Sequence, residues 1–352
     1  MAGLNLMGLG KKHQEKVSLS EKLKGFRTKY EPCQVNLGVM SVATSKVRAL
    51  TSQKDWNAKL ESYPEIMNSP FRYAGGKFYA RQLILERMPK HDFYGEPFAG
   101  GASIFFAKPK SKQSQINDID ELLVNTLLHI RDYPEELAKR VSKEVPSKER
   151  HNYYKNEYKP KTDMDRAVRW YFLNRTSYSG IMNMQNCYWG YGDKFSMRPE
   201  NWTRNIMRTS HKLTDVAITN YDFVKVIEET PKGGFLFIDP PYYNADQDKF
   251  YTHSFTHDDH DRLAEVLKQQ KDRIKFFVTY DNCDDVIDLY DWAKYIEPAE
   301  WNYTIARTDD QKKSVERKVK APPKKGSRTK GKELFIMNYQ PVMQELLFAQ
   351  NL

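Results

Sequence analysis

An aspartate, two prolines and a tyrosine, Asp239, Pro240, Pro241 and Tyr242, stand directly after the apolar run at residues 235–238. The apolar run predicts a buried strand that ends at the aspartate. Consecutive prolines lack backbone N–H donors, so the carbonyl groups around them cannot pair in a sheet and face the space at the strand end. An aspartate oxygen beside a proline carbonyl suits an amino group, which has two N–H donors, and the tyrosine ring offers a stacking face. These residues predict a pocket for a flat base that carries an amino group.

Three further motifs bear on this interpretation, because an isolated run of this kind can also be a plain turn at the end of a strand. They are SPFRYAGGK at residues 69–77, EPFAGGAS at 96–103 and INDID at 116–120. In this order, and followed by residues 239–242, they resemble the motifs of the Dam-type (D12 class, alpha group) DNA adenine-N6 methyltransferases. The resemblance covers roughly residues 67–345.

The second and third motifs predict half of a nucleotide-binding fold. Phe93 and Tyr94 lie on a short strand that leads into a glycine-containing turn, after which a helix is expected. Asp118 follows the next strand, about 17 residues after Gly101, which is near the ~20-residue spacing at which an acid meets a ribose in doubly wound folds. The alternative is a capping role for these acids, and Asp120 can cap the following helix while Asp118 binds.

The resemblance implies S-adenosylmethionine as the cofactor, contacted by Tyr73, Lys77, Asp118 and Asp239. Two positions depart from the family pattern. Close relatives often carry tryptophan in place of Tyr73, and Ala102 stands where the family has a glycine, although alanine still permits close approach of the backbone. For Tyr73, a place in the hydrophobic core is the alternative.

Asp239, Pro240 and Tyr242 are the catalytic residues of this hypothesis. A carboxylate is too weak a base to take a proton from the adenine N6 amine before the methyl group arrives. The Asp239 carboxylate and the Pro240 carbonyl are instead expected to accept hydrogen bonds from both N6 hydrogens and to stabilise the positive charge that develops during transfer. Because N6 lies inside the base stack, the adenine must flip out of the duplex and stack on Tyr242.

Positive charge is concentrated in two segments, although the whole chain has a net charge of +10. Residues 305–332 contain eleven Lys or Arg and three acids, and residues 148–212 contain thirteen basic, six acidic and twelve aromatic residues. A polyanion would meet these segments first. Phosphate contacts are expected from Lys324 and Lys325, for which a solvated loop without function is the alternative.

Residues 148–212 occupy the place where the family inserts its target-recognition domain. Residues 166–175 predict an amphipathic helix, and a loop follows it. Contacts with DNA are expected from Arg72, Arg175, Ser179 and Asn183. Members that read GATC usually carry asparagine in place of Ser179 and arginine in place of Asn183. Since arginine reads guanine and asparagine suits adenine, our hypothesis is a target sequence other than GATC.

The expected fold is α/β: a Rossmann-like S-adenosylmethionine-dependent methyltransferase sheet, mostly parallel, with an inserted, mainly helical target-recognition domain. The predicted domains are an N-terminal extension of unknown role at residues 1–66, a catalytic domain at 67–147 and 213–352 with a basic loop at 305–332, and the recognition domain at 148–212. Residues 275–280 and 333–339 are expected to be strands, the former beside the strand that ends at Asp239.

Composition and spacing argue against a secreted, membrane or metal-dependent protein. Three cysteines lie far apart, which fits reduced thiols, and no apolar run is long enough to span a membrane. Residues 257–261 gather histidines and aspartates, but Thr256 and Asp259 predict a capped helix there, so no metal site is expected. We expect a soluble, cytoplasmic, nucleoid-associated monomer that acts on double-stranded DNA, with a cognate restriction endonuclease as a further partner left open.

The hypothesis is an enzyme, a site-specific DNA methyltransferase that transfers a methyl group to N6 of a flipped adenine in duplex DNA. Three alternatives stay open on the residues alone. An RNA adenine methyltransferase would use the same pocket, although related RNA enzymes usually carry asparagine in place of Asp239. A cytosine-N4 methyltransferase would act on the same kind of amine. A non-catalytic DNA-binding subunit could keep the fold, although it would have no need of Lys77, Asp118 and Asp239.

Overall fold

A seven-stranded sheet flanked by helices forms the centre of the computed structural model, which describes residues 65–73, 75–192, 196–244, 252–302 and 330–341. The N-terminal extension predicted at residues 1–66 and the basic loop with Lys324 and Lys325 lie almost wholly outside these residues. All described residues fall within one compact unit, so the boundaries of the recognition domain stay predictions.

The strands are β1 (Phe93–Glu96), β2 (Gln113–Asn117), β3 (Ala217–Thr219), β4 (Phe235–Ile238), β5 (Lys275–Asp281), β6 (Tyr295–Asn302) and β7 (Lys330–Met337). They lie in the order β3-β2-β1-β4-β5-β7-β6. Strands β1 to β5 pair in parallel, whereas β7 is antiparallel to β5 and to β6. The mostly parallel α/β sheet is confirmed, and β5 is the neighbour of β4 as predicted.

Strand β4 illustrates why polar groups gather at the strand ends. All four of its residues are buried. Because side chains alternate between the faces of a sheet, Phe235 and Phe237 enter one hydrophobic core and Leu236 and Ile238 enter the other. With both faces covered, a polar side chain reaches an open cleft only after the strand has ended, which is where Asp239 stands.

The helices are α1 (Arg81–Arg87), α2 (Ser103–Phe106), α3 (Glu121–Asp132), α4 (Pro134–Val141), α5 (Lys148–Asn152), α6 (Asp163–Thr176), α7 (Trp202–Leu213), α8 (Phe223–Glu229), α9 (His257–Gln270) and α10 (Asp284–Leu289). Helices α3 to α7 stand between β2 and β3, together with a π-helical turn at Tyr153–Glu157 and 3-10 turns at Tyr178–Gly180 and Pro199–Asn201. The helical character expected for residues 148–212 is therefore observed. Within the described part of the chain, no helix has the length and apolar character needed to cross a membrane.

The helix predicted at residues 166–175 is present as α6, but its C-terminal part is buried on every side and is not amphipathic. Residues 170–176 are all buried. Helix α6 packs against α3, α4 and α5, and the ring of Trp202 lies 6.0 Å from that of Tyr171 and 6.1 Å from that of Phe172. Much of the aromatic excess of this segment thus forms hydrophobic core.

Candidate active site

A cleft of about 260 Å³ opens at the C-terminal ends of β1, β2 and β4. The chain runs outward from β1 through β2 to β3 and then returns to β4 on the other side of β1, and open α/β sheets bind ligands at such a crossing point. The lining comprises Tyr73, Gly75, Gly76, Lys77, Phe98, Ala99, Gly100, Gly101, Ser103, Asp118, Ile119, Asp239, Pro240, Pro241, Tyr242, Thr252 and His253. The structure therefore brings all four sequence motifs to one place.

The turn after β1 forms a smooth wall of this cleft. Gly100 has a φ of 46°, and a Cβ atom there would lie 2.8 Å from the ring of Tyr73, so glycine avoids both backbone strain and a clash. Ala102, which replaces the family's glycine, also has a left-handed backbone, with a φ of 48°. The departure from the family pattern thus has a conformational cost for alanine. Tyr73 both lines the cleft and packs against the hydrophobic core.

Two acids after β2 have different tasks. Asp120 caps α3, because its carboxylate accepts hydrogen bonds from the backbone N–H groups of Leu122 and Leu123, as predicted. Asp118 lines the cleft, and its oxygens accept from the backbone N–H groups of Gly100 at 2.7 Å and of Asp120 at 2.9 Å. Burial raises the pKa of Asp118 to about 6, although these hydrogen bonds oppose the rise. Near neutral pH, Asp118 is an ionised acceptor in the cleft wall.

Asp239 is ion-paired at the point where β4 ends. The Nζ atom of Lys77 lies 2.7 Å from its Oδ1, and the two side chains are 3% and 21% exposed. Thr279 on β5 donates its hydroxyl to the same oxygen at 2.7 Å. Both of these contacts involve Oδ1, and Asp239 is part of the cleft lining.

Tyr242 presents its ring to the cleft. Its buried hydroxyl lies beside Glu333 on β7, whose pKa it lowers, and Lys77 Nζ lies 4.9 Å from the ring centroid. Groups from distant parts of the chain thus lie next to this ring. Sequence reasoning missed Glu333, for which the available signal is a single acid at the start of the apolar run at residues 334–337.

The end of β5 anchors the rest of the loop after β4. Asp281 accepts hydrogen bonds from the backbone N–H groups of Tyr243 at 2.8 Å and Asn244 at 3.1 Å, and from the side-chain amide of Asn244 at 3.0 Å. Thr279 and Asp281 share one strand and hold the two ends of this loop. Sequence reasoning missed both, because their partners stand 40 and 38 residues earlier in the chain.

The histidines and aspartates at residues 257–261 lie in the first turns of α9. Thr256 and Asp259 form the predicted capping box at its start. His260 is buried, and its Nδ1 atom lies 2.5 Å from the hydroxyl oxygen of Tyr280. Helix capping and packing therefore account for these residues.

The predicted DNA contacts within the described residues are placed differently from one another. Arg175 is 5% exposed and donates to the backbone carbonyl of Pro70 at 2.8 Å, so a contact with DNA would require this bond to break. Arg72 is half-buried and donates to a backbone carbonyl at 3.3 Å. Ser179 and Asn183 are partly exposed on the loop after α6.

Helix α6 also anchors the segment that leads into Tyr73. The Asn174 side chain accepts from the backbone N–H of Arg72 at 3.1 Å and donates to the carbonyl of Arg72 at 2.7 Å. Gly180 has a φ of 71°, and a Cβ atom there would overlap the same carbonyl. The first motif of the cleft is thereby joined to the loop on which Ser179 stands.

We expect Gly180→Ala to lower the free energy of unfolding by roughly 2–4 kcal/mol, because alanine is strained at this φ and its Cβ would displace the Arg72 backbone. Urea denaturation measures the change. Gly192→Ala is the matched control, since no described atom lies within 4 Å of a Cβ atom at that position. Equal stability of the two variants would contradict this close approach.

A family model described as D12 class N6 adenine-specific DNA methyltransferase matches residues 73–305. The chain belongs to this family. The methyltransferase is 27% identical over 218 residues to the Type II methyltransferase M1.LlaDCHI of Lactococcus lactis subsp. cremoris, an alignment that covers 57% of this chain and 76% of the relative. It is 26% identical over 255 residues to the DNA N-6-adenine-methyltransferase of Escherichia phage P1, with 68% of this chain and 33% of the phage protein covered.

A third relative, the DNA adenine methylase of Haemophilus influenzae, is 22% identical over 255 residues, which cover 66% of this chain and 86% of the relative. As a member of the family, this enzyme is a site-specific DNA methyltransferase that methylates N6 of adenine. The predicted activity is confirmed, and it is favoured over an RNA adenine methyltransferase, a cytosine-N4 methyltransferase and a non-catalytic DNA-binding subunit. The family implies S-adenosylmethionine as the methyl donor and DNA as the substrate.

Proposed function

We propose that the cleft holds the methyl donor and a flipped adenine side by side and that N6 is methylated next to Asp239. The observation that carries this proposal is the Asp239 carboxylate, which is held at Oδ1 by Lys77 and Thr279 and lines the cleft. The carboxylate lies in the same cleft as the glycine turn and Asp118. One cavity therefore offers an acceptor for an amine and an acceptor for sugar hydroxyls.

The cleft suits S-adenosylmethionine on its own geometry. The turn after β1 leaves a space that a Cβ atom would fill against Tyr73, and Asp118 supplies a buried carboxylate for ribose hydroxyls. When bound, S-adenosylmethionine supplies a methyl group on a positively charged sulfur. Tyr73, Asp118 and Asp239 contact it directly in this proposal. Lys77 acts through Asp239, because its ammonium group is buried and already paired.

The side chains around the amine polarise it and do not deprotonate it before the methyl group arrives. Oδ2 of Asp239 and the carbonyl of Pro240 accept the two N6 hydrogens, which favours a tetrahedral nitrogen and stabilises the positive charge that develops there. As the N6–methyl bond formed, the methyl–sulfur bond would break and leave the demethylated cofactor, and the excess proton on N6 would then pass to the Asp239 carboxylate and on to water. Unstacking the adenine costs about a few kcal/mol, and stacking on the Tyr242 ring returns ~1–3 kcal/mol of that.

The DNA contacts belong to the recognition domain proposed at residues 148–212. Ser179 and Asn183 read bases from the loop after α6, and Arg72 contacts the backbone. Arg175 supports this surface from inside by holding Pro70. Lys324 and Lys325 lie outside the described residues and stay proposed phosphate contacts, which would make DNA affinity fall with salt. The Type II designation of the Lactococcus relative supports a cognate restriction endonuclease as a partner.

The proposed function is tested by incubating the purified full chain with methyl-labelled S-adenosylmethionine and unmethylated genomic DNA. Nucleoside mass spectrometry should find label on N6-methyldeoxyadenosine alone, and sequencing of the modified positions should return a target other than GATC. The Asp239→Ala variant is the negative control. Label on deoxycytidine would contradict the proposed chemistry, whereas methylation confined to GATC would contradict only the proposed roles of Ser179 and Asn183.

A further inference from the structure

Glu333 is an acid in an apolar setting next to the cleft. It is 2% exposed and pairs across the sheet with Asp281, while the next residues of β7, Leu334 to Met337, belong to the hydrophobic core. Burying a carboxyl group costs free energy unless partners compensate. Its contacts therefore show what this acid does.

Both contacts of Glu333 lead to residues of the cleft. Its Oε1 lies 3.8 Å from Lys77 Nζ, and the hydroxyl of Tyr242 is close enough to Glu333 to influence its pKa. Its Oε2 is buried and has no hydrogen-bond partner among the described residues. An oxygen in that position is costly to leave charged, which favours the neutral acid.

The ionisable groups that face Glu333 come from three elements: Lys77 before α1, Asp239 and Tyr242 after β4, and Asp281 on β5. Burial, foremost, and the charges of Asp239 and Asp281 raise the pKa of Glu333 to about 7, while Lys77 and the Tyr242 hydroxyl oppose the rise. Lys77 lies 2.7 Å from Asp239 but 3.8 Å from Glu333. This asymmetry fits a lysine that pairs with Asp239 while Glu333 is neutral.

We propose that Glu333 is a positioning residue for methyl transfer, which sets, through Lys77 and Tyr242, how strongly Asp239 accepts hydrogen bonds from the adenine amine. The inference rests on the proposed function of Asp239. When Glu333 loses its proton, Lys77 is shared between two carboxylates, so more of the negative charge of Asp239 is available to the positive charge that develops on N6. Ionisation of Glu333 therefore speeds transfer.

The test is Glu333→Gln, which keeps the size of the side chain and an acceptor for the Tyr242 hydroxyl but cannot ionise. Single-turnover rates are measured from pH 5.5 to 8.5 at saturating DNA and S-adenosylmethionine. The wild-type rate should rise about tenfold through pH 7, the size expected for the gain of one nearby charge, and the variant should stay at the low-pH rate. KM values for both substrates should stay within about twofold. A variant with the wild-type rate and the same inflection would overturn the inference.

Two further variants separate this role from a structural one. Glu333→Asp retains an acid and should retain an inflection, whereas Glu96→Gln removes another buried acid, which accepts from Tyr94 and Phe105 instead, and should leave the inflection near pH 7 in place. Loss of the inflection in Glu96→Gln would show that Glu96, and not Glu333, causes it, and would overturn the inference. Wild-type enzyme that makes no N6-methyladenine would refute the proposed function itself, which is a distinguishable result.

Protein stability provides a measurement independent of catalysis. The folded state holds the Glu333 proton more tightly than the unfolded chain does, because the pKa is raised from 4.5 to about 7. The free energy of unfolding of the wild type should therefore fall as the pH rises through this interval, and Glu333→Gln should lack that part of the fall. A Glu333→Gln protein that is less stable than the wild type at pH 8 would contradict the raised pKa of Glu333.

Discussion

Replacing Asp239 with alanine should lower the rate of methyl transfer by about 10²–10³-fold or more, the usual loss when a group that stabilises transition-state charge is removed. The substitution removes the acceptor for the N6 hydrogens and leaves Lys77 Nζ as a buried cation without the carboxylate that lies 2.7 Å from it. Both changes disfavour positive charge on the amine. Affinity for duplex DNA should stay within about twofold, because the carboxylate touches the base only after flipping. Single-turnover transfer and fluorescence anisotropy with the same labelled duplex measure the two quantities.

Asp288→Ala is a suitable control for this variant, since it removes an exposed aspartate from α10. It should match the wild type in both measurements. Full activity of Asp239→Ala would refute the assignment of this residue. A parallel loss of DNA binding would indicate that Asp239 supports the fold of the loop, through Lys77 and Thr279, more than it contacts the adenine.

Replacing Asp118 with alanine should weaken S-adenosylmethionine binding by about 100-fold or more. The substitution removes a carboxylate from the cleft wall, and it also releases the N–H of Gly100, which Asp118 holds at 2.7 Å. Hydrogen bonds to charged groups contribute about 1.5–3 kcal/mol each. The loss of two of them, one to the cofactor and one to the N–H of Gly100, therefore accounts for a 100-fold weaker affinity. Isothermal titration calorimetry measures the affinity directly, without a need for turnover.

The pH dependence of that affinity is a second consequence of Asp118. Its pKa is about 6 in the folded protein, so the carboxylate is charged above this pH and neutral below it. Affinity for the cofactor should accordingly fall as the pH drops below about 6, and the fall should be absent in Asp118→Asn. Asp120→Asn is the control: asparagine caps a helix about as well as aspartate, so the fall should remain, displaced to lower pH because the charge of Asp120 raises the pKa of Asp118. A wild-type affinity that is constant between pH 5 and 7 would contradict the role of Asp118.

The sequence alone was sufficient to predict a mostly parallel sheet and the four motifs that line the cleft. The apolar run before Asp239 identified β4, the segment before Asp118 was expected to be the next strand and is β2, and the parallel arrangement placed both acids at one edge of the sheet. The assignment of capping to Asp120 was also accessible, because a cap depends only on the next three residues. These features are local, or they follow from the rule that parallel strands end at the same edge.

Burial within the helical segment between β2 and β3 was not predictable in the same way. The sequence predicted an amphipathic helix at residues 166–175 and a DNA contact from Arg175, yet Arg175 and Asn174 lie inside and hold residues 70–72. A periodic pattern tells which faces of a helix differ, but it does not tell how many neighbours cover the helix. Helix α6 is buried because it packs against three other helices.

The sequence by itself determined the chemistry available to this protein, through Asp239, Tyr242 and the motifs that accompany them. The tertiary structure decided how these residues are held: Thr279 and Asp281 on β5 anchor the loop after β4 from 40 and 38 residues further along the chain, and Glu333 on β7 lies 3.8 Å from Lys77. The physical reason is that hydrogen bonds and charges act over a few ångströms in space, whatever the distance along the chain. Partners of this kind are specified only when β4, β5 and β7 lie side by side.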